Sequence, residues 1–190
     1  MNDLVSIITP CFNSEKFIVE TVKSVQNQTY KNWELLITDD GSTDNSVKII
    51  KELIELDDRI KIFTIENSGP AKARNNSIKK AKGKYLAFLD SDDIWFPKFI
   101  ETSILKIKNT EGFVFSSYQR VDENTLKPIY KDFIVPSKVS YTDILKTNSI
   151  SCLTAFIDVD KLGKKFMPDV LYRQDMGLWL MYLKKIKRNT

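Results

Sequence analysis

The stretch KYLAFLDSDDIW, residues 84–95, sets Asp90, Asp92 and Asp93 within four positions at the end of an apolar run, Tyr85 to Leu89. Carboxylates this close repel and raise one another's pKa. A hard divalent cation such as Mg²⁺ or Mn²⁺ would relieve the repulsion, because such ions take oxygen ligands and bridge one or two carboxylates to phosphates. The plainer alternative is a strand-end turn with solvated acids that cap a following helix. A second pair, Asp39 and Asp40 in DDGSTD, ends the apolar stretch WELLITD. Ser42 and Asp44 suit capping of the next helix, but capping does not explain acids at a strand end. A carboxylate there can accept hydrogen bonds from a nucleobase N–H or from ribose hydroxyls. In TPCFN, Phe12 offers either a stacking face for a base or an apolar anchor for the helix after it. Arg74, in AKARN, suits a phosphate or a base edge, or simply a solvated helix face.

What the chain lacks narrows the chemistry further. Its 190 residues contain no histidine, which excludes Ser-His-Asp and Cys-His nucleophilic machinery and His-based metal sites. Any acid-base or metal work therefore falls to carboxylates. The two cysteines, Cys11 and Cys152, are too few for a disulfide framework and point to a reducing cytosol. A net charge of +4 with no basic patch interleaved with aromatics argues against nucleic acid as partner. Hydrophobic content of 42% and charged content of 28% are those of a globular protein. No apolar run is long enough to span a bilayer, and MNDLVSIITP does not read as a signal peptide. There is no glycine-rich loop of the P-loop or dinucleotide type.

The elements that must position these residues alternate. Strands are expected at Val5 to Ile8, WELLITD, RIKIFTI and KYLAFL, with helices at Lys16 to Gln26, DNSVKIIKELIEL and GPAKARNNSIKKAK between them. Ser68 is the expected cap of the third helix and Gly83 its end. This order predicts an α/β fold, a mostly parallel central sheet flanked by helices in a single domain. In such sheets ligands bind at the carboxyl ends of strands, near a switch in strand order. TPCFN, DDGSTD and DSDD all fall on that edge. Beyond Pro97 the expectation is a helix to about Asn109, a strand GFVFSSY, and a hairpin or irregular excursion over residues 121–139. A short helix TDILKTN, a strand SCLTAFID and a last helix from Asp175 to Lys187 follow. The apolar residues Leu178 to Leu183 read as core. The basic end, Lys184, Lys185, Lys187 and Arg188, is compatible with weak contact to an anionic membrane surface.

Taken together, IITPCFNSEKFIVETVKSVQNQTYKNWELLITDDGSTDNS and NSGPAKARNNSIKKAKGKYLAFLDSDDIW resemble the nucleotide-sugar-binding half of inverting glycosyltransferase family 2, which has the GT-A fold. YRQDMGLWLMYLKK resembles that family's acid-bearing helix. The resemblance implies residues 1–97 as the nucleotide-sugar half and 98–190 as an acceptor-side half lacking C-terminal segments that family members usually carry. Pro10, Phe12 and Asn13 match the first nucleotide loop, with Phe12 in the uracil-stacking position. Asp40 matches the acid that reads the base, flanked by Asp39 and Ser42, and Arg74 matches an arginine near the nucleotide. Asp90 and Asp92 match the Asp-X-Asp motif around Ser91, with Asp92 the metal ligand and Asp90 nearer the sugar or ribose. Asp175 matches the catalytic base, while Gln174 stands where many members have glutamate. The implied reaction is metal-dependent, inverting transfer of a sugar from a UDP-sugar to a glycan or lipid-linked glycan, in bacterial surface-polysaccharide synthesis at the cytoplasmic face of the membrane. The alternative is a nucleotide-sugar-binding module with little or no turnover that supports a complete transferase.

Overall fold

A computed structural model describes the backbone of residues 3–189 and side chains as far as residue 186, so Lys187 and Arg188 of the basic end lie outside the described side chains. Its centre is a six-stranded sheet of β1 (Val5–Cys11), β2 (Trp33–Asp39), β3 (Ile60–Thr64), β4 (Tyr85–Phe88), β5 (Phe113–Val114) and β6 (Phe156–Asp158), ordered β3-β2-β1-β4-β6-β5. β1, β2, β3 and β4 are parallel, and β6 runs antiparallel to both β4 and β5. The chain builds outward from β1 through β2 to β3, then returns to lay β4 on the other side of β1. The switch in strand order therefore lies between β1 and β4, where open α/β sheets form their ligand crevice.

Each strand feeds two cores because successive side chains point to opposite faces. Val5, Ile7, Leu35 and Ile37 pack with α1 (Ile18–Gln26), α2 (Ser46–Leu56) and α4 (Phe99–Ile107). Ile8, Leu36, Leu86 and Phe88 pack with α3 (Pro70–Lys80), α5 (Tyr141–Lys146) and α7 (Gln174–Asn189), with the short α6 (Val159–Leu162) beside them. Leu178, Trp179, Tyr182 and Leu183 of α7 are buried in this second core, as their apolar run implied. Among the described residues no helix is long and apolar enough to cross a membrane.

Several boundaries differ from the sequence reading. GFVFSSY contributes only the two residues of β5, and SCLTAFID begins with a 3-10 turn, Cys152–Thr154, before the three-residue β6. The SCLTAFID run is buried on both faces around β6 and so carries no alternation from which length or direction can be read. The first helix starts at Ile18 because the Ser14 carbonyl takes the amides of both Phe17 and Ile18, closing a turn ahead of it. Ser68 does not cap α3. Gly69 holds the N-cap position at φ 90°, with Pro70 in the first turn, while the Ser68 hydroxyl donates to the Glu66 carbonyl. The irregular excursion is a loose hairpin that starts earlier than expected, with bridges Tyr118–Phe133 and Val121–Pro128.

Candidate active site

One acid and one guanidinium meet at the switch point. Arg74, on the face of α3 turned to the sheet, is buried, and its Nη2 donates to Asp90 Oδ1 at 2.6 Å. The solvated-face reading of Arg74 is therefore wrong: α3 spends this position on a charge pair at the end of β4. Burial works against the guanidinium's charge, but the negative groups around it outweigh burial and raise its pKa. Cys152 is one of those groups, but its own thiol is pushed up by burial. It stays neutral, so Asp90 and, further off, Asp175 supply the counter-charge.

The pair forms the shared wall of two cavities. The first, about 420 Å³, opens on the β1 side and is lined by Pro10, Phe12, Asn13, Asp40, Ser91 and Asp92 as well as Arg74 and Asp90. Phe12 is 49% exposed, so it does not anchor α1 in the core. Its neighbour Asn13 takes a left-handed backbone at φ 50° and is held twice. Its amide donates to Ser42 Oγ, and its Oδ1 accepts from the Thr43 amide. Ser42 in turn donates its amide to Asp39 Oδ2. Asp39 and Ser42 thus stand behind the cavity and shape its loop rather than line it. Asp39 Oδ1 is buried without a partner. Asp40 does line the cavity, and its two oxygens accept the amides of Ser68 and Gly69, each at 2.8 Å. The carboxylate thus holds the amides just ahead of α3, while no side chain caps the helix itself. Each oxygen keeps a lone pair free.

A chain of hydroxyls ties the acid turn to the β1 loop. Ser14 Oγ and Ser91 Oγ lie 2.7 Å apart, Ser46 Oγ accepts the Ser14 amide, and Thr21 Oγ1 donates to the Ser91 carbonyl. Sequence reasoning missed Ser14 and Ser46. The one available signal was Thr21, a hydroxyl on the apolar stripe of α1 and fully buried there. Asp92 points out of this turn and is exposed, whereas Asp93 is half-buried and lines neither cavity. Burial, then repulsion from Asp90 and Asp92, pushes the Asp93 carboxyl up to about 7.

The second cavity, about 400 Å³, lies on the α7 side of the pair and contains Asp175 from the first turn of α7. Asn148, just past α5, donates its Nδ2 to Asp175 Oδ2 at 3.1 Å, while its Oδ1 is buried without a partner. Asn148 is the site residue with no forewarning in the sequence, since it reaches Asp175 only through the packing of α5 on α7. Tyr118 and Phe133 of the hairpin complete the wall, together with Gln174.

The model of the family "Glycosyl transferase family 2" matches residues 6–159. The chain belongs to that family. As a family 2 member it is 39% identical over 96% of its length to the putative teichuronic acid biosynthesis glycosyltransferase TuaG of Bacillus subtilis (strain 168). It is 42% identical over 95% of its length to the Escherichia coli UDP-Glc:alpha-D-GlcNAc-diphosphoundecaprenol beta-1,3-glucosyltransferase WfgD. It spans 73% and 70% of those two proteins. S. aureus TarS 1-349 in complex with UDP-GlcNAc superposes with a TM-score of 0.74 at 22% identity, covering 95% of this chain and 53% of that one. The architecture is therefore GT-A.

Family 2 enzymes with this fold imply a divalent cation. Among the described residues no three His, Cys, Asp or Glu side chains form a group able to hold one unaided. Asp92 is free, and Asp90 has one oxygen on Arg74. One or two carboxylates fit Mg²⁺ or Mn²⁺ in the mode where water and substrate phosphates fill the remaining positions.

Proposed function

We propose that this chain moves a hexosyl or N-acetylhexosaminyl group from a UDP-sugar to a hydroxyl of a glycan or lipid-linked glycan, with inversion at the anomeric carbon. The reaction serves cell-surface polysaccharide synthesis at the cytoplasmic face of the membrane. The supporting observation is the Arg74–Asp90 pair standing between two cavities, with Phe12 and Asp40 lining one and Asp175 lining the other. The names of WfgD and of the TarS complex, with UDP-Glc and UDP-GlcNAc in them, support the nucleotide.

On this reading the first cavity takes the donor. Phe12 stacks the uracil from the loop that Asn13, Ser42 and Asp39 hold rigid, with Pro10 beneath it. Asp40, pinned by two amides, directs its remaining lone pairs at the uracil N–H and so favours uracil over bases lacking a donor there. Asp92 would hold the divalent cation, with Asp90 beside the ribose or sugar, and Ser91 fixes the turn. Mg²⁺ or Mn²⁺ bound there would supply Lewis-acid stabilisation of the charge on the diphosphate.

Asp175 accepts the proton of the acceptor hydroxyl as general base. That oxygen forms its bond to the anomeric carbon as the bond from that carbon to the β-phosphate oxygen breaks, and UDP leaves with the electron pair. In an inverting transfer attack comes from the face opposite UDP, and Asp175 in the second cavity is the carboxylate assigned to that side. Asn148 keeps the carboxylate oriented, and no covalent protein intermediate is needed in a chain without histidine.

The test is transfer from UDP-glucose and UDP-GlcNAc to a synthetic GlcNAc-diphospholipid, followed by NMR of the product's anomeric proton. Inverted product and stoichiometric UDP, abolished by chelation and restored by Mn²⁺, are expected. Intact donor bound without transfer would instead favour a binding module, and pyrophosphate release a nucleotidyltransferase.

A further inference from the structure

The hairpin that covers the second cavity carries an aromatic pair that no catalytic role uses. Tyr118 and Phe133 stack with ring centroids 4.9 Å apart and planes 23° from parallel. Their backbones exchange both hydrogen bonds, Tyr118 N to Phe133 O at 3.2 Å and Phe133 N to Tyr118 O at 2.8 Å. In an antiparallel pair this places both side chains on one face. The guanidinium of Arg120 lies over the Tyr118 ring, 6.0 Å from its centroid, and over that of Tyr130 at 5.7 Å, which backs the pair on the Tyr118 side. Phe133 nevertheless remains 38% exposed, and both rings line the cavity that holds Asp175 and Asn148.

We infer that Phe133, its inner face backed by Tyr118, forms a stacking platform for a pyranose ring of the acceptor glycan, setting which hydroxyl meets Asp175. A pyranose has apolar C–H faces and a rim of hydroxyls, and this cavity presents the complementary set. Aromatic rings supply apolar area at low entropic cost, while Asn148, Ser149 and Ser151 supply polar groups near the carboxylate. A wall of this kind fits a sugar better than it fits a polyphosphate, for which it holds Arg74 alone as a cation, already paired with Asp90. The other exposed apolar residues of the hairpin, Leu126, Ile129, Tyr130 and Ile134, do not line the cavity, so the pair is distinct from a general greasy surface. The inference rests on reading the second cavity as the acceptor side.

Binding can be tested without turnover. Saturation-transfer NMR on the full chain would use the methyl β-glycosides of glucose, galactose and N-acetylglucosamine as probes. Tyr118→Leu and Phe133→Leu keep apolar bulk and remove the ring, and an unchanged melting midpoint shows that each is folded. At least one glycoside should receive saturation at its ring C–H protons, and each variant should weaken that binding about tenfold. UDP affinity by calorimetry should stay the same in both. If no glycoside receives saturation, or if both variants bind as the unmutated chain does, the platform does not exist. Loss of binding to anionic phospholipid vesicles with glycoside binding unchanged would make the rings a membrane contact and overturn the inference. Failure of the unmutated chain to bind UDP would sink the transferase reading while leaving the glycoside result to decide the platform by itself.

Discussion

The two halves of this molecule, either side of Pro97, are built to different standards of rigidity. In the first, seven-residue strands β1 and β2 are buried along their whole length, and every functional loop is locked to another by hydrogen bonds. Asn13 is tied to Ser42 and Thr43, Ser14 to Ser46 and Ser91, and Asp40 to Ser68 and Gly69. In the second, strands shrink to two and three residues, and the wall over Asp175 is a hairpin joined to the rest by few bonds. Its helix α5 is held by a surface capping box between Ser140 and Asp143. A site that must grip one nucleotide in one pose gains from preorganisation, because little entropy is then lost on binding. A wall built outside the sheet, by contrast, can vary without disturbing it.

The largest effect should come from the looser half. Asp175→Asn keeps the shape and still accepts from Asn148, so folding and UDP affinity should hardly change. Transfer should fall by about 10²–10⁴-fold, the usual contribution of a general base. Single-turnover rates alongside UDP calorimetry measure the two separately. A variant that transfers normally would reduce Asp175 to a helix-terminal acid and leave the two cavities without a division of labour.

Legibility followed the same divide. The parallel core and its three convergent loops could be read from strand–helix alternation, because each element there is long enough to show its period, whereas the strand order that puts the switch between β1 and β4 could not. Asp175 was found only through resemblance, and Asn148 not at all, since its contact depends on how α5 packs on α7. The placement of Asp39 and Ser42 was hidden for a related reason. Spacing puts them on the loop beside the cavity, but only the fold shows that they reach it through Asn13. Phe12 and Arg74 left opposite alternatives open in the sequence, and exposure decided both: the ring is out and the guanidinium is in.

A middle-sized effect belongs to the donor loop. Phe12→Ala should weaken UDP by about 1–3 kcal/mol, the range for loss of one base–aromatic stack. Because the ring is half exposed, the melting midpoint should stay within a few degrees, which separates loss of stacking from loss of core. Normal UDP affinity in this variant would mean that the base is held by Asp40 alone. Asp40→Asn should be harsher on the fold, since it replaces a carboxylate that takes two amides.

The smallest effect concerns the buried acid that explains the stiffness of the first half. Glu34, on β2, takes the Ser6 hydroxyl and the Lys82 amide on Oε1 and the Lys61 ammonium on Oε2, so one side chain joins three strands and the turn into β4. The same Ser6 hydroxyl accepts the Gly83 amide, where even a Cβ would meet the Ser6 nitrogen at 2.6 Å. Burial alone would raise the Glu34 pKa, but the Lys82, Ser6 and Lys61 bonds outweigh it and hold the carboxyl below its ordinary 4.5. A depressed acid contributes its stability in full above the unfolded value, and that contribution disappears as pH falls through the lower folded-state value. Glu34→Gln should therefore cost about 1 kcal/mol at pH 7, the net worth of a hydrogen-bonded group whose partners remain. The difference from the unmutated chain should shrink steadily once pH drops below 4.5, and denaturant midpoints taken across that range would show it. A deficit that stays constant down to the lowest pH would mean that the carboxylate's charge contributes nothing, and that the stiffness of β2 comes from apolar packing alone.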